Sequence, residues 1–170
     1  MPTPAYMSIE GTTQGNLTKG ASTEASVGNI YVEGHEDESM VQAVSHNISR
    51  ARDSQSGQPT GMRVHGPVTI TKNFDKASPL ILQALTTGEV LTKVTLKHYR
   101  TSISGTQEHY VTLEMIDAVI TDVQTDMPHC QDASHAHLML QEHVSFSYRK
   151  ITWTHVTAGT QASDDWRKPV

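Results

Sequence analysis

Apolar and polar residues alternate along most of this chain, and in one stretch they recur instead with a helical period. From Asp75 to Gly88, the residues Ala77, Leu80, Ile81, Ala84 and Leu85 fall at i, i+3, i+4, i+7 and i+8 and make one apolar stripe. Ser78 can cap the amino end, with Pro79 at the first helical position, where a missing N–H costs nothing; Asp75 offers a cap one turn earlier. Gly88 supplies a left-handed residue to end the helix. The spacing predicts one amphipathic helix over about 75–88, with Leu80, Ile81 and Leu85 buried against a sheet.

The rest must supply that sheet. Ala5–Glu10 reads as a strand, and so does Val27–Glu33, with Ile30 and Val32 on one face. Between them, Gly11–Ala25 is a polar loop or a loosely paired hairpin. Met40–Ser49 is a strand of ambiguous facing, because Val41 and Ala43 oppose Met40, Val44 and Ile48. Val64–Lys72 points Val68 and Ile70 inward, and Val90–Arg100 does the same with Val94 and Leu96. A turn around Gly105 leads into His109–Met127. There Val111, Leu113 and Met115 share one parity, while Ile116, Ala118 and Ile120 take the other, which predicts a bulge or kink near Met115–Asp117. Pro128–Ala136 is a loop, and Leu138–Thr154 is a last long strand with Leu138, Leu140, Val144, Phe146 and Tyr148 in phase. The tail Ala158–Val170 is polar. About seven strands and one helix result, spaced too closely for parallel crossovers. The fold class is therefore mainly β: an antiparallel barrel or two-sheet sandwich with one flanking helix, formed as a single domain over 1–170.

Arg50–Arg63, RARDSQSGQPTGMR, breaks the alternation; its only aliphatic residues are Ala51 and Met62. It reads as a long exposed loop, and compact domains rarely keep such loops without a use, so it is either disordered or packed on a partner. Composition narrows the partner. A net charge of −5 without any Lys or Arg run argues against nucleic acid. No apolar stretch is long enough to span a membrane. The first residues, MPTPAYMSIE, show neither a basic start nor the apolar core of a secretory signal. The lone Cys130 excludes an internal disulfide and suits a reducing compartment. A hydrophobic fraction of 36% hints that some burial comes from subunit contacts.

Candidate chemistry is thin. His129, Cys130, His135, His137 and His143 are zinc-ligating types, but H-C-x4-H-x-H matches no zinc spacing, and scattered polar histidines are the ordinary reading. His35, Glu36, Asp37 and Glu38 form an acidic turn with no second carboxylate placed opposite. No G-x-S-x-G surrounds any Ser, and no Gly-rich phosphate loop is present. Trp153 and Trp166 suit core or interface packing better than sugar stacking. The residues point to a β domain with no catalytic, cofactor or metal site, in a structural or binding role. The alternative is a small secreted metal-binding or hydrolytic protein using the His-rich segment 129–143.

Six motifs in the same order carry a resemblance. YMSIEGTTQGN (6–16), GNIYVEGHEDES (28–39), SGQPTGMRVHGPVTITKNFDKASPLILQALTTGE (56–89), MPHCQD (127–132), YRKITW (148–153) and AGTQASDDWR (158–167) resemble the Hcp family, the haemolysin-coregulated proteins of bacterial type VI secretion. The resemblance covers Ala5 to Arg167. It implies a two-sheet, barrel-like domain related to phage tail-tube proteins, and homo-hexameric rings that stack into an inner tube. The implied partners are a contractile sheath, a VgrG spike and effectors carried in the lumen. It implies no catalysis, assembly in the cytoplasm, and export through the apparatus itself. It also assigns Arg50–Arg63 to the family's extended loop, so that Arg50, Arg52, Asp53, Gln55, Ser56, Gln58 and Arg63 become the expected contacts between subunits or rings.

Overall fold

The alternating stretches close on one another. The computed structural model describes residues 3–168, so Pro169 and Val170 of the expected tail lie outside the described residues. In chain order these form β1 (Ala5–Gly11), β2 (Gly15–Asn16), a short helix α1 (Glu24–Val27) running into a 3-10 turn at Gly28–Ile30, β3 (Ser39–Ser45), β4 (Ile48–Arg52), β5 (Pro59–His65), β6 (Val68–Asn73), α2 (Ser78–Thr87), β7 (Leu91–Thr101), β8 (Gln107–Asp126), a 3-10 turn at Ala133–His135, β9 (Gln141–Ser147), β10 (Lys150–His155) and β11 (Thr160–Asp165). All strand pairs are antiparallel. Strands β8-β7-β1-β3-β6-β9 form a closed ring, because β9 pairs back onto β8. Strands β10 and β11 extend outward from β8, β2 adds to β1, and β4–β5 make a separate two-stranded sheet. Of the two expected closures, the barrel is the one formed.

β8 makes closure possible by changing partners. Its residues Val111–Ile116 pair with β10, and Val119–Asp126 pair with β9. Between them sits Asp117, with φ of 51°, the one non-glycine residue of positive φ among the described residues. Asp tolerates that conformation better than most residues, and Arg149 Nε holds its carboxylate at 2.8 Å. Leu113 and Met115 face the core before this point and Ala118 and Ile120 after it, so the expected parity break is real.

α2 covers the barrel. Ala77, Ile81 and Ala84 are fully buried, while Leu80 and Leu85 are half-buried against the core. The stripe is thus centred on the small residues, and its two leucines lie to either side rather than beneath the helix as expected. Neither candidate cap acts as one: the N-cap is Ala77, without a side-chain bond, while Asp75 Oδ1 accepts from Ala77 N at 2.9 Å and Ser78 Oγ from Asp75 N at 3.0 Å in the turn just before the helix. Gly88, at φ 71° and ψ 27°, ends the helix by donating back to Ala84 and Leu85 carbonyls.

Beneath the helix start lies a buried ion cluster. Lys72 Nζ, carried in by β6, is 2.7 Å from Glu142 Oε1, 2.9 Å from Asp75 Oδ1 and 3.0 Å from Ser78 Oγ. Ser78 donates to Glu142 Oε1 at 2.7 Å. At the other end of α2, Glu89 Oε1 accepts from Thr13 N and Gln14 N at 2.7 and 2.8 Å. Burial pushes the Glu89 carboxyl up, but those donors outweigh it and leave it below its ordinary value. The two clusters clamp α2 to β6, to β9 and to the loop after β1.

Further expectations change. Met40–Ser49 is broken after Ser45, and Val64–Lys72 is broken at Gly66–Pro67, so that Val64 belongs to β5 and Val68 begins β6. Val27–Glu33 is not a strand: Gly28 and Gly34 both take positive φ, which breaks an extended run. Leu138–Thr154 is two strands, interrupted at Tyr148–Arg149, where Arg149 turns out to Asp117; Leu138 and Leu140 precede β9. The polar tail contributes β11, whose lack of apolar residues left no periodic signal. Arg50–Arg63 is not a loop but most of the β4–β5 hairpin.

Candidate functional site

The hairpin stands away from the core: all of β4 and the first four residues of β5 are exposed. Ile48 pairs with His65, Ser49 with Val64 and Arg50 with Arg63, followed by a register shift before Arg52 meets Pro59. The turn is built by Asp53, whose Oδ1 accepts from Gln55 N and Ser56 N at 2.8 Å each. Backbone N–H bonds from Ser56 and Gln55 hold that carboxyl below its ordinary value. Asp53 N donates to Gln58 O at 2.8 Å, and Gly57 at φ 74° completes the tip. An acidic turn-former, a serine and a glycine therefore do structural work that composition alone reads as looseness. Met62 and Val64 remain 50% and 57% exposed.

The root of the hairpin is fastened. Arg63 Nε and a terminal nitrogen grip both carboxylate oxygens of Asp164 on β11 at 2.7 and 2.9 Å. The same guanidinium donates to the carbonyls of Asp165 and Lys168. Arg63 first, against burial, holds the Asp164 carboxyl below its ordinary value. His65 Nε2 lies 2.7 Å from Asp164 Oδ2, and its Nδ1 lies 2.6 Å from the Tyr148 hydroxyl. His46, in the link between β3 and β4, places Nε2 2.8 Å from the same hydroxyl. Trp166 stacks on His65 and donates its indole N–H to Tyr148 O.

Of the seven residues expected at a subunit boundary, the structure commits Arg63 to its own chain. Arg50 reaches across the hairpin to Gly61 O at 3.1 Å, and Asp53 and Ser56 shape the tip. Arg52, Gln55 and Gln58 are exposed with them. Sequence reading missed His46, His65, Tyr148 and Asp164. The available signal was the break of phase after Tyr148, where an otherwise apolar-facing strand meets Arg149.

The His-rich segment does not converge. His143 lies between Thr71 and Asp126, His135 lies against Asp132, and Cys130 is exposed. Among the described residues, no group of three or more His, Cys, Asp or Glu side chains is placed to hold a metal ion. The acidic turn is tied down rather than poised: His35 stacks flat on Tyr6, ring centres 3.7 Å apart, and Glu38 lies 3.5 Å from Lys97. Trp153 and Trp166 both pack against the core.

The chain is thus a closed antiparallel barrel carrying an anchored, outward arm. Residues 6–155 match the family model described as "Type VI secretion system effector, Hcp", and the chain belongs to that exported family of type VI secretion proteins. It is 62% identical over 170 residues to the "Major exported protein" of Pseudomonas aeruginosa, covering 100% of this chain and 99% of that one. The fold matches a structure described as "Crystal structure of Hcp protein" with a TM-score of 0.94 and 49% identity, over 98% of this chain and 99% of the other. The "Secreted protein Hcp3 from Pseudomonas aeruginosa" superposes with a TM-score of 0.83 and 54% identity, over 98% and 99% of the two chains. The expected family and the mainly β, barrel-like fold are both met.

Proposed function

We propose that this chain is the structural subunit of a type VI secretion inner tube. Six copies close into a ring, rings stack into a tube inside a contractile sheath tipped by a VgrG spike, and effectors travel in the lumen. The subunit assembles in the cytoplasm and leaves through the apparatus itself. Each copy contributes a single tube domain and no chemistry.

The hairpin carries this reading. Two strands exposed along nearly their whole length bury almost nothing within their own chain, and an exposed strand edge is a hazard unless something covers it. A neighbouring copy is the partner that symmetry supplies, because a heterologous contact repeated around a closed ring satisfies every copy equally. Arg50, Arg52, Asp53, Gln55, Ser56 and Gln58 then meet the next subunit or ring through charge-assisted and amide hydrogen bonds, and Arg63 holds the arm at its working angle. Electron microscopy of the purified protein tests the reading: six-fold rings are expected, and a monomer at all concentrations by native mass measurement would overturn it.

A further inference from the structure

We propose that His46, Tyr148 and His65 form an acid-released latch at the root of the β4–β5 hairpin. Hydrogen-bond bookkeeping carries the argument. An ionised carboxylate only accepts, so His65 Nε2, 2.7 Å from Asp164, carries a proton. When His65 is neutral, its Nδ1 accepts from the Tyr148 hydroxyl at 2.6 Å. The phenol oxygen is then free to accept, and His46 Nε2 donates to it at 2.8 Å. A single directed line runs from His46 through Tyr148 and His65 to Asp164, which Arg63 fixes from the other side.

The line can absorb one proton. It goes to the free Nδ1 of His46, or to His65 Nδ1 once the His46 proton has moved from Nε2 to its own Nδ1 and the Tyr148 O–H has turned to donate to Nε2, and no bond is lost in either case. It cannot absorb two. With both imidazoles charged, N–H groups point at the phenol oxygen from both sides, and the hydroxyl proton has no acceptor left. Two like charges then also flank one buried oxygen. Burial first, then the neighbouring His65, already hold the His46 imidazole below its ordinary value. Burial and Asp164 push the Tyr148 phenol up, so it stays protonated throughout.

The groups facing this line come from each packed element. They are His65 and Arg63 on β5, Asp164 and Asp165 on β11, and Arg149 beside Tyr148. Asp164 is held ionised by Arg63, so it is not the group that titrates in mild acid. The His46–Tyr148 bond ties the β3–β4 side of the hairpin, while Arg63–Asp164 ties the β5 side. Doubly charged imidazoles therefore free one leg and leave the other fastened.

Hydrogen–deuterium exchange of the assembled protein, read by mass spectrometry on peptides spanning residues 46–66 and corrected for intrinsic rates, tests the latch. Wild type should exchange at the hairpin root about tenfold faster near pH 5 than near pH 7.5. His46→Gln keeps a donor to Tyr148 but cannot charge, so its root should exchange at the slow rate at both values. Tyr148→Phe removes the shared hydroxyl and should exchange fast at both. A wild-type root equally protected at both pH values overturns the proposal. So does a His46→Gln root that still loosens in acid, or acid loosening of the wild type that is equal in β7 and β8 peptides.

Discussion

Lys72→Met removes the positive charge from a buried cluster that keeps two carboxylates. Lys72 and Glu142 are 0% exposed and Asp75 is 6% exposed. The ammonium donates to Asp75 Oδ1, Ser78 Oγ and Asn73 O at 2.9–3.2 Å and lies 2.7 Å from Glu142 Oε1. Methionine fills nearly the same volume, so the cavity contribution is small, and what remains is two anions left without their cation in a dry site. Breaking a buried pair by removing one partner costs about 3–5 kcal/mol. For a chain of this size each kcal/mol moves the melting temperature by about 2–4 °C, so a fall of about 6–20 °C is expected by circular dichroism at neutral pH. Glu142→Gln is the control. It keeps the oxygen that Lys72 and Ser78 bind, leaves Lys72 matched with Asp75 alone, and changes an Oε2 that has no hydrogen-bond partner. It should cost less than half as much. A Lys72→Met melting temperature within about 2 °C of wild type, or a larger loss for Glu142→Gln, would show that the cluster is hydrated or open in solution and that this reasoning fails.

Ile81→Ala, at the fully buried centre of the α2 stripe, should cost about 2–5 kcal/mol, and Leu85→Ala, half-buried on its flank, distinctly less; urea midpoints rank the two. Replacing Arg52–Gly61 by a short Gly-Ser link should leave the circular dichroism spectrum intact, since closure entropy changes by only about 0.6 kcal/mol per doubling of loop length; stacking seen by electron microscopy and delivery through the apparatus should both fail. Arg63→Ala should instead lower stability in the single chain, because Asp164 then loses both of its guanidinium bonds; unchanged thermal melting would contradict this. Burial first, and then a neighbouring imidazole, hold both His46 and His98 below the ordinary histidine value. The unfolded chain therefore binds those protons first, and stability should fall as pH drops below about 6.5, while above that it should stay flat; urea midpoints across that range check the sign.

Legibility followed periodicity. The α2 stripe, the inward faces of β6 and β7 and the parity break at Asp117 were readable because burial imposes a period on apolar residues. The hairpin was not, because all of β4 and most of β5 are exposed: strands that bury little apolar surface leave no trace in hydrophobicity. The same holds for β11, where Thr160–Asp165 offers no aliphatic residue larger than Ala162. Lys72 was hidden by the same logic in reverse. Its place in the alternation was an inward one, between Ile70 and the helix, but a lysine there reads as a strand end until Glu142 arrives from β9 to join the nearby Asp75. The latch at Tyr148 gathers five residues from four separate stretches, and no local spacing announces such a meeting.

The attachment of the arm also fixes how force enters the subunit. β4 continues into β3 and β5 into β6, and those two strands are neighbours in the barrel. A pull on the arm through the covalent chain alone would therefore act on the β3–β6 seam, prising apart one row of bonds. The Arg63–Asp164 bridge opens a second route, into β11 and through its six registered pairs with β10 to the long strand β8. β8 touches β7, β9 and β10, so load arriving there is shared over most of the ring. A part-buried ion pair between the arm and the last strand is the element that turns a peeling load into a distributed one.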